Sequence, residues 1–182
     1  MLENHWHSIH ASDRSMPSGQ SVLLPGIHLL DVDAALALDP AIHIAIGNNQ
    51  AREKEASAWG HERMATVVHP AASVSQFSSM ASGCFVAASA VVGPMAVLGM
   101  CVIVNHGAVI DHDVDVGAFS HIAPNASLGG HAKLGQRVLI GSGAVVLASV
   151  VIGDDVVVGA GSVVNANLQE PGTYVGIPAR KI

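Results

Sequence analysis

The sequence predicts a mainly β protein, a parallel β-helix wound from six-residue repeats and preceded by a small α/β segment. From Ala72 onward the chain reads in blocks of six, ASVSQF, SSMASG, CFVAAS, AVVGPM and so on to SVVNAN. There are sixteen such blocks, and the third place is Val, Met, Leu or Ile in every one. Such a period matches neither the roughly 3.6 residues of a helical turn nor the two-residue alternation of a strand. Hexapeptide repetition marks a parallel β-helix, in which each block is a short strand plus a turn. A second observation is compositional: aromatic residues make up 3% of the chain while glycines number 19, so small aliphatic side chains must fill the core. A narrow stacked column can be filled that way. The third is positional. The first place of each block is mostly Ala, Ser or Val, and the fourth is often Gly or another turn-compatible residue. Loose Gly/Ala/Val composition does not hold one register through sixteen repeats.

Upstream the pattern changes. The stretch SVLLPGIHLLDVDAALALDPAIHIAIGNNQAREKEASAWGHERMATVVHP predicts a short helix from Asp31 to Leu38 and a strand IHIAIG ending at Gly47. A charged helix from Asn49 to about Gly60 and a strand within MATVVHP follow. Alternation of strand and helix predicts a small α/β domain with a parallel sheet over residues 1–66, ahead of a repeat domain over 67–182. AIGNNQAR sets a glycine and two asparagines at a strand's carboxyl end before a helix, where open α/β sheets bind ligands. An ordinary strand-to-helix turn reads the same way.

A net charge of −6 with only eight Lys and Arg residues leaves no basic surface to neutralise phosphates, which excludes nucleic acid and anionic membranes as main partners. No apolar run reaches the roughly 20 residues of a membrane span, and the opening MLENHWHSIH lacks a basic-then-apolar signal pattern. A cytoplasmic protein is expected. Cys84 and Cys101 have no metal-type spacing and fit reduced thiols in a reducing compartment.

Four stretches, in the order IAIGNN, VVHPAASVS, VNHGAVIDHDVDVGAFSHIAPNASLGG and YVGIPARKI, resemble the hexapeptide sugar acetyltransferases that include sialic acid O-acetyltransferase and the PglD-type N-acetyltransferases of UDP-4-amino sugars. The resemblance runs over nearly the whole chain. It implies a left-handed winding with three blocks to each triangular coil, and hence a little over five coils. It also implies acetyl-CoA as co-substrate, a nucleotide-linked amino sugar accepting at its amine or hydroxyl, and a homotrimer with each acetyl-CoA groove lined by two protomers. Family members open with a strand and a glycine-rich loop that hold the nucleotide, and this chain starts too late to contain them. IHASDRS falls where the second strand would end, so residues 1–66 are read as a truncated Rossmann-like domain that binds the acceptor, with a misassigned start or a loss of nucleotide binding as the other readings.

Acetyl transfer from a thioester needs a base near neutral pH, and the ordinary pKa of histidine suits it. His112 holds the fifth place of AVIDHD, where a coil turns and side chains leave the column, with an aspartate on either side. A neighbouring carboxylate fixes the imidazole tautomer and raises its basicity. In the family the acidic residue follows the base, which points to Asp113 and keeps Asp111 in reserve; a plainly solvated corner is the competing reading. Residues 18 apart lie one coil, about 4.8 Å, apart, so Gly130 stacks on His112 and leaves room for a ligand. By resemblance its N–H would hold the thioester carbonyl. His121, Ser142 and Ala160 match acetyl-CoA contacts of the family, although turn packing accounts equally for Ser142 and Ala160. Asn105 matches a polar active-site residue, and Gly47 and Asn48, with Asp13 on a looser alignment, match acceptor contacts. Direct transfer in a ternary complex is expected, with no metal.

Two alternatives stand beside this. Zinc carbonic anhydrases of the same fold bind metal through three histidines across a trimer interface, and His106, His112, His121 and His131 cluster here. Their spacings of six, nine and ten do not reproduce the close pair of that enzyme. The other alternative is a non-catalytic β-helix scaffold.

Overall fold

The computed structural model describes residues 10–12, 22–24, 27–38 and 41–182, and the chain forms two compact units, Met1–Ala41 and Ile42–Ile182. Asp13 lies outside the described residues. In the first unit, strand His10–Ala11 pairs parallel with Ile27–Leu29, which pairs antiparallel with Val22–Leu24. The described sheet is therefore mixed, where an all-parallel one was expected. Only two residues separate Leu24 from Ile27, and so short a link joins antiparallel strands alone. Helix α1, Val32–Ala37, follows where a helix was expected, and the Asp31 carboxylate accepts the Asp33 N–H at its start.

The second unit is a parallel β-solenoid of about six turns, and its strands stack into three sheets of eight, six and five. Strands beginning at Val67, Phe85, Ile103, His121 and Leu139 run up the first face. Those beginning at Ser73, Val91, Val109 and Ser127 form the second face, and those at Ser79, Val97, Asp115 and Lys133 the third. Registers such as Val109↔Ser127 and Ile103↔His121 are 18 residues apart, as three blocks to a turn require. The solenoid begins at Val67–Val68, so the strand expected in MATVVHP is its first rung.

The period of six has a direct cause. The first and third places of successive blocks point inward: Ala108, Ile110, Val114, Val116, Ile122 and Leu128 are all fully buried, while the second place faces outward. Each inward Ile or Leu contributes about 1.5–3 kcal/mol by leaving water. The turn falls at the sixth place, which takes positive φ in Ser89, Met95, Asp113, Phe119, Asn125 and His131. Glycines of the fourth place serve a different purpose. A Cβ on Gly93 would stand 2.8 Å from the Asp111 carbonyl carbon one coil on, so these positions stay bare to let coils stack.

Residues 42–66 share a unit with the coils. Ile42, Ile44 and Ile46 alternate as a strand would, yet only Ile42 makes a ladder bridge, to Met64. Their apolar sides pack with Cys101 and Phe119 of the column, so burial against the solenoid satisfies the alternation that sheet pairing was expected to satisfy. Helix α2, Asn49–Trp59, is capped by Asn48, whose Oδ1 accepts the Ala51 N–H.

Candidate active site

The coils make three corners, and the sequence-predicted residues sort among them. Cys101, Phe119 and Arg137 mark the corner between the third and first faces, and α2 is fastened along it. Arg52 is fully buried there, and among the described residues its hydrogen-bond partners are carbonyl oxygens and no carboxylate. Its guanidinium donates to the carbonyls of Cys101 (2.9 Å), Phe119 (2.6 Å), Ile46 (2.8 Å) and Gly47 (3.1 Å), and to Asn49 Oδ1 (2.9 Å). Burial lowers its pKa to about 10, which leaves it charged at neutral pH. Asn49 adds bonds from Nδ2 to the Arg137 and Val138 carbonyls, and Glu53 pairs with Arg137. Arg52 thus fixes the Ile46–Gly47 segment against the first face.

That segment and the first face enclose a pocket of about 240 Å³ with walls from Ile44, Ile46, Phe85 and Ile103 and a polar end from Gly47, Asn105 and His121. The hydrogen bonds settle the His121 tautomer. Gly47 carbonyl oxygen can only accept, so Nδ1 donates to it (3.3 Å), and Nε2 accepts from Asn105 Nδ2 (3.1 Å). Burial, ahead of any other cause, lowers the His121 pKa and keeps the ring neutral. With both nitrogens engaged, the His121 ring is held in place and neither nitrogen is free to act as a base. Asn105 is held in turn, its Oδ1 accepting from the His106 backbone N–H and ring Nδ1 (both 2.8 Å). Ser142 and Ala160 stack one coil apart at the corner between the first and second faces, joined by the bond from Gly161 N to Ser142 O (2.9 Å).

The corner between the second and third faces carries the other group. His112 is half-exposed, and its Nδ1 lies 2.8 Å from Asp113 Oδ2. A carboxylate accepts, so Nδ1 carries the proton and Nε2 presents its lone pair. Asp111 bonds elsewhere: its Oδ1 accepts the His112 backbone N–H at 2.7 Å and braces the turn. The hydrogen bond to Asp113, with Asp111 adding charge, raises the His112 pKa above its ordinary value. Asp113 reaches the ring because its backbone is left-handed, φ 58°. Gly130 lies directly beneath, and a Cβ there would stand 2.7 Å from His112 Cε1 and Nε2. Among the described residues the Gly130 N–H donates to no backbone carbonyl.

Within one chain, then, His112, Asp113, Asp111 and Gly130 form one cluster and Gly47, Asn105 and His121 another, with the second face between them. Asn48 spends its side-chain oxygen on the helix cap. The four histidines of the metal alternative do not gather: His106 and His121 bond Asn105, and only His131 joins His112, ring centroids 5.1 Å apart and edge-on at 88°. Burial pushes the Cys84 thiol up to about 11 and raises that of Cys101 also, so neither is a thiolate nucleophile at neutral pH. The roles of Arg52 and Asn49 were not foreseen, and His131 was noted only among the four histidines of the metal alternative, not as a neighbour of His112 and Asp113. In AREKE, Arg52 reads as one more solvated charge, and the carbonyls it serves lie about 50 and 70 residues away. The signal for His131 was available, since it stands 18 residues after Asp113.

The bacterial transferase hexapeptide (six repeats) family matches residues 131–166. No curated protein matches the chain by sequence. Among solved structures, a His-to-Asn variant of perosamine N-acetyltransferase from Caulobacter crescentus in complex with CoA and GDP-perosamine is 30% identical. It matches over 91% of this chain and 82% of its own at a TM-score of 0.83. The acetyltransferase domain of PglB from Neisseria gonorrhoeae, in complex with acetyl coenzyme A, is 31% identical over 92% of this chain and 84% of its own, TM-score 0.81. WeeI from Acinetobacter baumannii, 24% identical over 94% and 84%, shares the fold at a TM-score of 0.78. Repeat, coil and likeness together define an acyltransferase of the hexapeptide class. Within that class, the chain belongs to the hexapeptide-repeat sugar acetyltransferases.

Proposed function

We propose that the protein moves the acetyl group of acetyl-CoA to the amine of a nucleotide-linked amino sugar by direct transfer, with His112 as general base. Acetyl-CoA is the co-substrate. The observation that carries the role of His112 is its bond to Asp113, which leaves a basic Nε2 facing outward over Gly130. As the sugar amine attacks the thioester carbonyl, Nε2 takes the amine proton. The oxygen becomes an oxyanion within reach of the Gly130 N–H, and the imidazolium returns the proton to the departing CoA sulfur. The two protonated, buried cysteines favour transfer without an acyl-enzyme.

The acceptor sugar sits in the pocket ended by Gly47, Asn105 and His121, and the pantetheine arm follows the Ser142–Ala160 corner. Since those groups and His112 occupy different corners of one chain, a complete site needs two copies, one supplying the base and its neighbour the pocket. The base corner suits such a contact: Phe77, Met95 and Leu147 stand exposed on it, at 65%, 60% and 45%. Resemblance to the family supports a homotrimer, left-handed winding and an acceptor-binding role for residues 1–66. The joint presence of CoA and GDP-perosamine in the matched perosamine enzyme supports a ternary complex.

His112→Ala, assayed with acetyl-CoA and a panel of UDP-, GDP- and dTDP-linked amino sugars, tests the assignment. Turnover should fall by about 10²–10⁴, the usual loss for a general base, while acetyl-CoA binds as before. Unchanged turnover overturns it.

A further inference from the structure

We propose that His112, Asp113 and His131 form a binding site for a divalent transition metal, zinc foremost, whose occupation switches the base off. One ligand atom from each of the three lies within 4.8 Å of the others. His112 Nδ1 is 2.8 Å from Asp113 Oδ2, and His131 Nε2 is 3.9 Å from the same oxygen. Zinc bonds of about 2.0–2.1 Å to imidazole and carboxylate set tetrahedral neighbours about 3.3 Å apart, between those two separations. The rings already stand nearly perpendicular, at 88°, so both can turn a nitrogen to one point without stacking.

The backbone holds this arrangement. Asp113 and His131 occupy the same sixth place in successive coils, at φ 58° and 61°, and the His131 N–H donates to the His112 carbonyl at 3.0 Å. The ligands therefore stand on a rigid ladder. All three are exposed in the single chain, and the Asp111 carboxylate beside His112 adds negative charge. Two imidazoles and one carboxylate suit zinc better than calcium or magnesium, which prefer oxygen donors alone.

Zinc on His112 Nδ1 needs the lone pair there, so the ring's one proton moves from Nδ1 to Nε2. Nε2 then carries a hydrogen and can no longer take the amine proton. The site itself stands on geometry alone; the inhibition also rests on His112 being the base.

Metal-free protein without a histidine tag should be titrated calorimetrically with zinc chloride, in chelator-free buffer and without CoA, whose thiol would compete. One zinc per chain at micromolar Kd is expected. His131→Asn should weaken binding by at least about tenfold, since loss of even an outer-shell partner costs about 10–100-fold. Asp113→Asn should do the same, and circular dichroism of both variants checks that the coils are intact. Turnover, followed as acetylated sugar by mass spectrometry, should fall with zinc, recover with EDTA and resist zinc in His131→Asn. Absent binding, or binding that His131→Asn and Asp113→Asn leave unchanged, overturns the site. Binding lost in both variants without any effect of zinc on wild-type turnover supports the site and counts against His112 as the base.

Discussion

At the residue scale, hydrogen bonding separates two histidines nine positions apart into different tasks. His121 is half-buried, with both nitrogens engaged and its pKa lowered, whereas His112 is more open, held by Asp113, with its pKa raised. In the proposed mechanism the neutral His112 ring is the active form, so the acid limb of kcat/KM should lie above the pH of an ordinary imidazole. Asp113→Asn removes the largest cause of that elevation and should move the limb to lower pH, with a lower plateau because the tautomer is no longer fixed. A limb that stays in place in the pH profile would show that Asp113 does not act on the base. Asp111→Asn should shift the limb less, since that carboxylate bonds the backbone. The six-residue period made the place of His112 at a coil turn legible, while the choice of Asp113 over Asp111 as its partner came from the family resemblance and agrees with the 2.8 Å bond. The tautomer of His121 was not legible, because it depends on Gly47, 74 residues away.

At the scale of the element, the coil was readable wherever inward residues repeat and unreadable where packing is long-range. The third place of each block identified the core directly. Ile140, fully buried, should on conversion to alanine cost about 2–5 kcal/mol in chemical denaturation, and an unaltered midpoint would mean that the column is not packed as described. The turn was harder to place. The fourth place drew attention through its glycines, but positive φ sits at the sixth, where ten residues other than glycine adopt it beside four glycines. The helix α2 was located, yet its clamp was not, since nothing near Arg52 in sequence signals burial. Arg52→Met should lower stability by at least about 1–3 kcal/mol for the carbonyls it strands, and speed amide exchange in α2 before the coils. Asn48→Ala separates two readings of one residue. As a cap it costs about 0.5–2 kcal/mol with acceptor KM unchanged, whereas a raised KM at full stability would mark an acceptor contact.

For the whole molecule, the solenoid explains both what one chain builds and what it leaves incomplete. A narrow column presents side chains only at its corners and flat faces, so groups a third of a turn apart are separated by a face however close they stand in sequence. Asn105 and His112 are seven residues apart and still occupy different corners. Spacing along the sequence does not reveal that separation, because the second face lies between the two groups. The amino-terminal sheet was less legible, since its short strands carry too few residues for a clear period. The central claim is that catalysis joins the His112 corner of one copy to the Asn105–His121 pocket of another. Co-expression of His112→Ala and Asn105→Ala chains under two different tags, with purification through both, tests it most directly. Each variant alone should be nearly inactive, and the mixed assembly should recover a substantial fraction of wild-type turnover through sites that draw an intact half from each copy. A mixed assembly no more active than its parents would contradict the account.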